Sequence, residues 1–191
     1  MERMARPKSE DRRDAIMSAA SRVIASQGLG AATATIAKEA GISNGSLFTY
    51  VETKADLLNQ LYLELKTEMA AAALDGLPAG ADLRKQTLHA WTNWTAWAVA
   101  NPEKRRALAQ LGVSDEITPA SRAAGHKTMA GIADLMGQIH ASGSMRKAPK
   151  AFVAEIMNSL VEATMDYMVR DPTNAKKHSQ TGFDALWRVI A

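Results

Sequence analysis

Between Ala40 and Leu58 the chain reads AGISNGSLFTYVETKADLL, and no other stretch restricts the fold as much. Gly41 stops whatever helix precedes it and lets the chain turn tightly. Ser43 is an N-cap for a short helix running to about Tyr50. Thr53, with Asp56 three residues on, has the pattern of a capping box and starts a further helix almost at once. So short a helix offers few side chains to a core. Leu47 and Phe48 are its expected anchors, which leaves Asn44, Ser46 and Thr49 facing outward around Gly45. Helix, tight turn and short helix is a known arrangement for presenting side chains to DNA.

The flanking sequence is helical as well. SEDRRDAIMSAASRVIASQG places Ile16, Ala19, Ala20, Val23 and Ile24 on one face, with Ser9 as the cap and Gly28 as the stop. TATIAKEAG gives a short helix with Ile36, Ala37 and Ala40 inward and Thr33 as its cap. From Thr53 to about Leu74 a longer helix carries Leu57, Leu58, Leu61, Tyr62, Leu65 and Met69, more than a small N-terminal unit can cover. It is read as a connector to a larger body. DGLPAG is a loop. A helix from Asp82 to about Ala100 follows, then helices opening at Asn101–Pro102 and Thr118–Pro119, where proline suits the first turn. The second of these is expected to run unbroken into HASG. A helix beginning near Lys150 and another from about Ala175 to Ile190 complete the chain. No segment alternates β-branched residues. The expectation is an all-α fold of about nine helices. An N-terminal arm and helix-turn-helix unit would occupy residues 1–56, and a fourth helix would join it to a helical bundle within residues 57–191.

Composition narrows the function mostly by exclusion. An apolar share of 47% suits a globular protein, and no run approaches the length of a membrane span. MERMARPKSEDRR lacks the apolar core of a signal peptide, and the absence of cysteine fits a cytoplasmic protein. The net charge of +3 is spread out, with eight basic against seven acidic residues in 1–56 and fifteen against thirteen beyond. Only the arm, with Arg3, Arg6 and Lys8, is locally basic; it either follows DNA or serves as a charged tail. The four histidines stand apart in no metal-binding spacing. No nucleophile elbow, phosphate loop or dinucleotide fingerprint occurs. No metal, cofactor or enzymatic activity is expected.

Ile36, Ala37, Ala40, Gly41, Ile42, Ser43, Gly45, Leu47, Phe48, Tyr50 and Lys54 together resemble the DNA-binding signature of the TetR family of bacterial transcriptional repressors. The resemblance spans Ala31 to Leu58 with the long helix before it. Four positions depart from the family pattern. Ala32 replaces the usual capping threonine, Asn44 a frequent lysine, Phe48 a tyrosine and Val51 an aromatic residue. The resemblance implies that Ser43 to Tyr50 is the recognition helix in the major groove. Asn44, Ser46 and Thr49 are then candidates for base edges, with Gly45 allowing close approach. Ser43, Tyr50 and Lys54 suit phosphates, and Thr33 joins the DNA-facing set. Lys54 is poorly placed for a cation in the first turn of a helix, unless a phosphate is bound there.

The same resemblance implies a ligand-binding body and a twofold mate. Trp91, Trp94 and Trp97 share one broad side of a helix, and Met129 and Met136 are soft residues on another. They line either an effector pocket or a filled core, with His126, Asn93 and Asn158 as candidate polar anchors. The helix from Lys150 is apolar on more than one side, so it needs two partners. Ile156 and Leu160 there, with Phe183, Trp187 and Ile190 of the last helix, are the expected dimer contacts. The leading expectation is a homodimeric repressor that binds a palindromic operator and is released by a small apolar or aromatic effector. The alternatives are a small helical enzyme or carrier, and a repressor without an effector.

Overall fold

A computed structural model describes residues 8–191. Among them are ten α-helices, one 3-10 turn and no strand. In chain order they are α1 (Lys8–Gln27), α2 (Thr33–Glu39), α3 (Asn44–Leu47), α4 (Lys54–Leu74), α5 (Leu83–Ala100), α6 (Pro102–Gly112), α7 (Pro119–Thr128), α8 (Ala130–Ser142), α9 (Lys150–Arg170) and α10 (Ala175–Ile190). The 3-10 turn Pro172–Asn174 separates the last two. The all-α architecture, with a three-helix head, a connecting helix and a C-terminal bundle, is the one expected.

The chain forms two compact units. One runs to Lys66 and takes in Pro102–Gly125; the other comprises Thr67–Asn101 and His126–Ala191. In the first unit, α1 packs on both α2 and α6. Its core joins Ile16, Ala20 and Ile24 to Ile36, Ala37, Leu47, Leu57, Leu58 and Leu61, and extends through Ala107 and Leu111 of α6 to Ile117. The first three helices therefore do not close a core by themselves. α6 supplies the missing wall.

Polar clamps fix these helices in register. Arg13 donates to Glu64 at 2.9 Å, tying α1 to α4. Gln110 donates to the Ile24 carbonyl at 3.2 Å, tying α6 to α1. The amide of Asn59 donates to the Glu116 carbonyl at 2.8 Å and accepts from the Thr118 N–H at 2.9 Å, which binds α4 to the α6–α7 loop. Arg122 closes that loop by donating to the Gly112 and Ser114 carbonyls. Gly28 and Gly41 have φ of +82° and +71°, so both turns require a conformation that side chains disfavour.

In the second unit α5 packs against α8, α9 and α10. Trp91 donates its indole N–H to the Ser179 carbonyl at 2.9 Å, and its ring meets Phe183 edge-on. Thr95 and Ser179 share a hydroxyl contact at 3.0 Å. Gly182 permits this approach, because a Cβ there would collide with Thr164 and lie 3.0 Å from Trp91.

Three local expectations are corrected. Ser9 lies inside α1, which already includes Lys8, so it is not the cap. Ala32, not Thr33, is the N-cap of α2, with no side-chain cap bond. The helix expected to run from Thr118 into HASG is broken at Met129 (φ −89°, ψ 7°), whose N–H bonds back three residues to His126. The two pieces are held at different places. A Cβ on Gly125 would lie 2.8 Å from the Tyr62 ring, and one on Gly131 would lie 2.8 Å from Leu74. The glycines mark two separate close approaches, one within each compact unit.

Asn59→Ala should leave helical content intact and lower stability by about 1–3 kcal/mol, since it strands the Thr118 N–H and the Glu116 carbonyl. Urea unfolding followed by circular dichroism measures this; an unchanged midpoint would show the clamp to be idle.

Candidate nucleic-acid interface

Gly41 turns the chain out of α2, and the Ser43 hydroxyl accepts from the Ser46 N–H at 3.1 Å, which starts α3. The Ser43 and Ser46 hydroxyls also pair at 2.8 Å. α3 is one turn long, and two tighter backbone bonds, Thr49 to Ser46 and Tyr50 to Leu47, carry the coil to Tyr50. Leu47 is fully buried, while Asn44, Gly45, Ser46 and Thr49 are exposed. Asn44 makes no side-chain hydrogen bond among the described residues, so its amide keeps a donor and an acceptor together. Thr49 donates its hydroxyl proton to the Ser46 carbonyl at 2.7 Å, which leaves its lone pairs and methyl facing out.

Phe48 departs from expectation. It is 43% exposed and stands on the outer side with the polar residues. Adjacent residues on a helix point about 100° apart, and here Leu47 takes the inward direction while Phe48 takes the outer one. The second core position goes to Val51, which is buried, and Tyr50 packs partly against the same core.

The start of α4 is capped as its sequence suggests. Thr53 accepts from the Asp56 N–H at 3.0 Å, and Asp56 accepts from the N–H of Glu52, one residue before the cap. Gln60 donates to both oxygens of the same carboxylate at 3.1 Å. Lys54 is the first residue of α4 and is half-exposed beside this cap. Thr33 is half-buried at the start of α2. Arg3 and Arg6 lie outside the described residues, and Lys8 is the first residue of α1.

The tryptophan side of α5 is largely committed to packing. Trp91 turns to α10, and Trp97 donates to Glu68 of α4 at 3.0 Å. Trp94, between them along the helix, is half-buried, as are Met129 and Met136. The three proposed polar anchors sit elsewhere. Asn93 donates to the Asp75 carbonyl at 3.0 Å in the α4–α5 loop, and His126 and Asn158 are exposed. Of the expected dimer contacts, Phe183 and Ile190 are sealed inside the chain's own bundle, whereas Ile156, Leu160 and Trp187 remain half-exposed.

Residues 16–61 match the bacterial regulatory proteins of the tetR family. A TetR-family transcription regulator from Shewanella sp. PV-4 shares 30% identity with this chain, covering 94% of it and 98% of that protein, with a TM-score of 0.83. The chain belongs to the TetR family. It is thus a helix-turn-helix DNA-binding regulator rather than an enzyme. A TetR-family regulator from Marinobacter aquaeolei VT8 has the same fold at 24% identity, covering 98% of this chain and 99% of its own, with a TM-score of 0.83. So does the TetR-like regulator LfrR of Mycobacterium smegmatis, whose structure is a complex with proflavine. It is 17% identical over 92% of this chain and 94% of that one, with a TM-score of 0.67. No helix among the described residues of this TetR-family regulator is long and apolar enough to cross a membrane.

Gly45 offers a direct check on the α3 face. A Cβ there would meet only the Ser43 hydroxyl, at 3.9 Å, and its φ is not positive, so nothing inside the protein requires glycine. Glycine within a helix costs about 0.5–1 kcal/mol relative to alanine. Gly45→Ala should therefore raise stability by about that amount while weakening duplex binding. Calorimetry and a binding titration measure the two effects; unchanged binding would place this face away from DNA.

Proposed function

We propose that this regulator is a homodimeric repressor that reads a palindromic operator through α3 and is released by a small apolar or aromatic molecule bound in its helical body. The observation that carries the DNA-reading part is the α3 face itself. One turn of helix, anchored by Leu47, presents Asn44, Ser46 and Thr49 around a glycine that the protein does not need for its own packing. Asn44 is suited to a bidentate contact with adenine, and Thr49 to an acceptor or methyl contact. Ser43, Tyr50, Lys54 and Thr33 would hold phosphates, which fix the head on the duplex without reading its sequence. The proposed functional division falls at residue 56, between reading head and body.

A twofold mate is supported by the outer side of α9. Phe152, Ile156, Leu160, Ala163 and Tyr167 recur at helical spacing along one stripe, beside the buried stripe of Val153, Val161, Thr164, Met165 and Met168. Phe152 and Tyr167 are more than half exposed. A second copy would cover this stripe and place two heads on two half-sites. Trp94, Met129 and Met136, the apolar members of the expected pocket that are neither committed to hydrogen bonds nor fully buried, favour an effector site. The proflavine complex of LfrR belongs to a protein of the same fold and motivates testing flat aromatic compounds here. A repressor without an effector is the second reading, favoured by the tight packing of Trp91 on Gly182.

Selection of bound duplexes from a random pool, followed by a screen for compounds that release the selected duplex, tests the proposal. With that duplex, Lys54→Ala should weaken operator and random DNA by similar factors. It should also flatten the slope of log affinity against log salt by about 1–2 units, as two phosphate contacts per dimer are lost. Thr49→Ala should leave the slope alone and weaken operator preferentially. Equal salt slopes for Lys54→Ala and the parent would remove the phosphate contact.

Sedimentation at micromolar concentration should give a dimer, and Phe152→Asp with Leu160→Asp should give helical monomers that bind operator at least about tenfold more weakly. A parent protein that sediments as a monomer would end the twofold proposal.

A further inference from the structure

We propose that Phe48 reads the methyl group of a thymine in each operator half-site. The inference rests on α3 being the DNA-reading element. Among the described residues of the head, up to Lys66, Phe48 is the one large apolar side chain left exposed. The core has no place for it, since Leu47 and Val51 already fill the inward positions at 0% and 3% exposure. The other exposed side chains of this segment, Asn44, Ser46 and Thr49, are all polar.

A benzyl ring has no donor or acceptor, so it gains nothing from most of what a base edge offers. The major groove displays one apolar group, the C5 methyl of thymine, and it distinguishes T·A from every other pair in combination with the adjacent donors and acceptors. Phosphates are charged and hydrated and favour a polar side chain. Phe48 and Asn44 are four residues apart, so they are neighbours on one face, with Cβ atoms about 5–6 Å from each other. That distance is under about two base-pair steps of 3.4 Å. The thymine therefore lies within two base pairs of the base that Asn44 faces. The absence of a hydroxyl on Phe48, which removes the option of a phosphate hydrogen bond, becomes a gain in selectivity at this position.

The test uses the full chain and a duplex selected by it from a random pool, with each thymine replaced in turn by deoxyuridine, which lacks only the methyl group. Burying one methyl group is worth about a fourfold change in affinity, so replacement in both half-sites should weaken the parent by about fifteenfold at one symmetry-related pair of positions. Phe48→Ala should bind the methylated and unmethylated duplexes alike, and Phe48→Leu should keep part of the difference. The proposal is overturned if no thymine is sensitive in the parent, or if the sensitive one remains fully sensitive in Phe48→Ala. Loss of helical content in Phe48→Ala would show the ring to be core and overturns it as well. Selection of no duplex at all would remove α3 as the reader, which is distinguishable from a selected duplex that is indifferent to deoxyuridine.

Discussion

A helix of one turn cannot hold itself together, because its nucleation cost is never recovered by propagation. α3 exists because Leu47 is fixed in a core built by α1, α2, α4 and α6, and because Ser43 and the tightened bonds to Thr49 and Tyr50 close its two ends. Every other property of the α3 face follows from that single anchor. The outward directions of Asn44, Ser46 and Thr49 are set by where Leu47 points inward. The exclusion of Phe48 from the core follows from the same geometry, and so does the freedom of Gly45. The head gains its precision from burial elsewhere, since the polar contacts within α3 are short-range and exposed.

That core reaches beyond the helix-turn-helix. α1 lies on α6 as well as on α2, and Gln110 and Asn59 add hydrogen bonds between segments far apart in sequence. The compact unit therefore includes Pro102–Gly125, although the DNA-binding signature ends before it. In the second unit the balance differs. Trp91 and Trp97 spend their indole N–H groups on Ser179 and Glu68, so two of the three tryptophans on α5 serve packing and polar satisfaction. On the outer stripe of α9 Phe152 and Tyr167 stay more than half exposed and Ile156 and Leu160 are half-exposed, which is the observation behind the proposed second copy.

Much of this was legible from the sequence where the cause is local. Gly41 as a stop, Ser43 and Thr53 as caps and Thr118 before Pro119 depend on a few neighbouring atoms, and the structure shows each with its bond or its positive φ. The periodic faces of α1 and α4 likewise announced their buried residues. Less legible were positions where two residues competed for one role. Ser9 and Thr33 are chemically able to cap but lie inside their helices, and Leu47 and Phe48 are equally apolar neighbours. No proline, glycine or capping side chain at Met129 records the break there. Asn93, His126 and Asn158 are polar groups near apolar ones in sequence, but Asn93 bonds to the α4–α5 loop, and His126 on α7 and Asn158 on α9 are exposed.

The sequence by itself determined that the chain is helical throughout, where most of its helices start and stop, and that a small polar face follows a tight turn near Gly41. Those facts depend on periodicity, capping and glycine, whose energetics operate within a few residues. Only the tertiary structure decided that Val51 displaces Phe48 from the core, that α6 completes the head, and that Phe183 and Ile190 face inward while Phe152 and Tyr167 face out. Burial is a property of the neighbours a side chain finds across the fold, and chemically equivalent apolar residues are told apart only when those neighbours are in place.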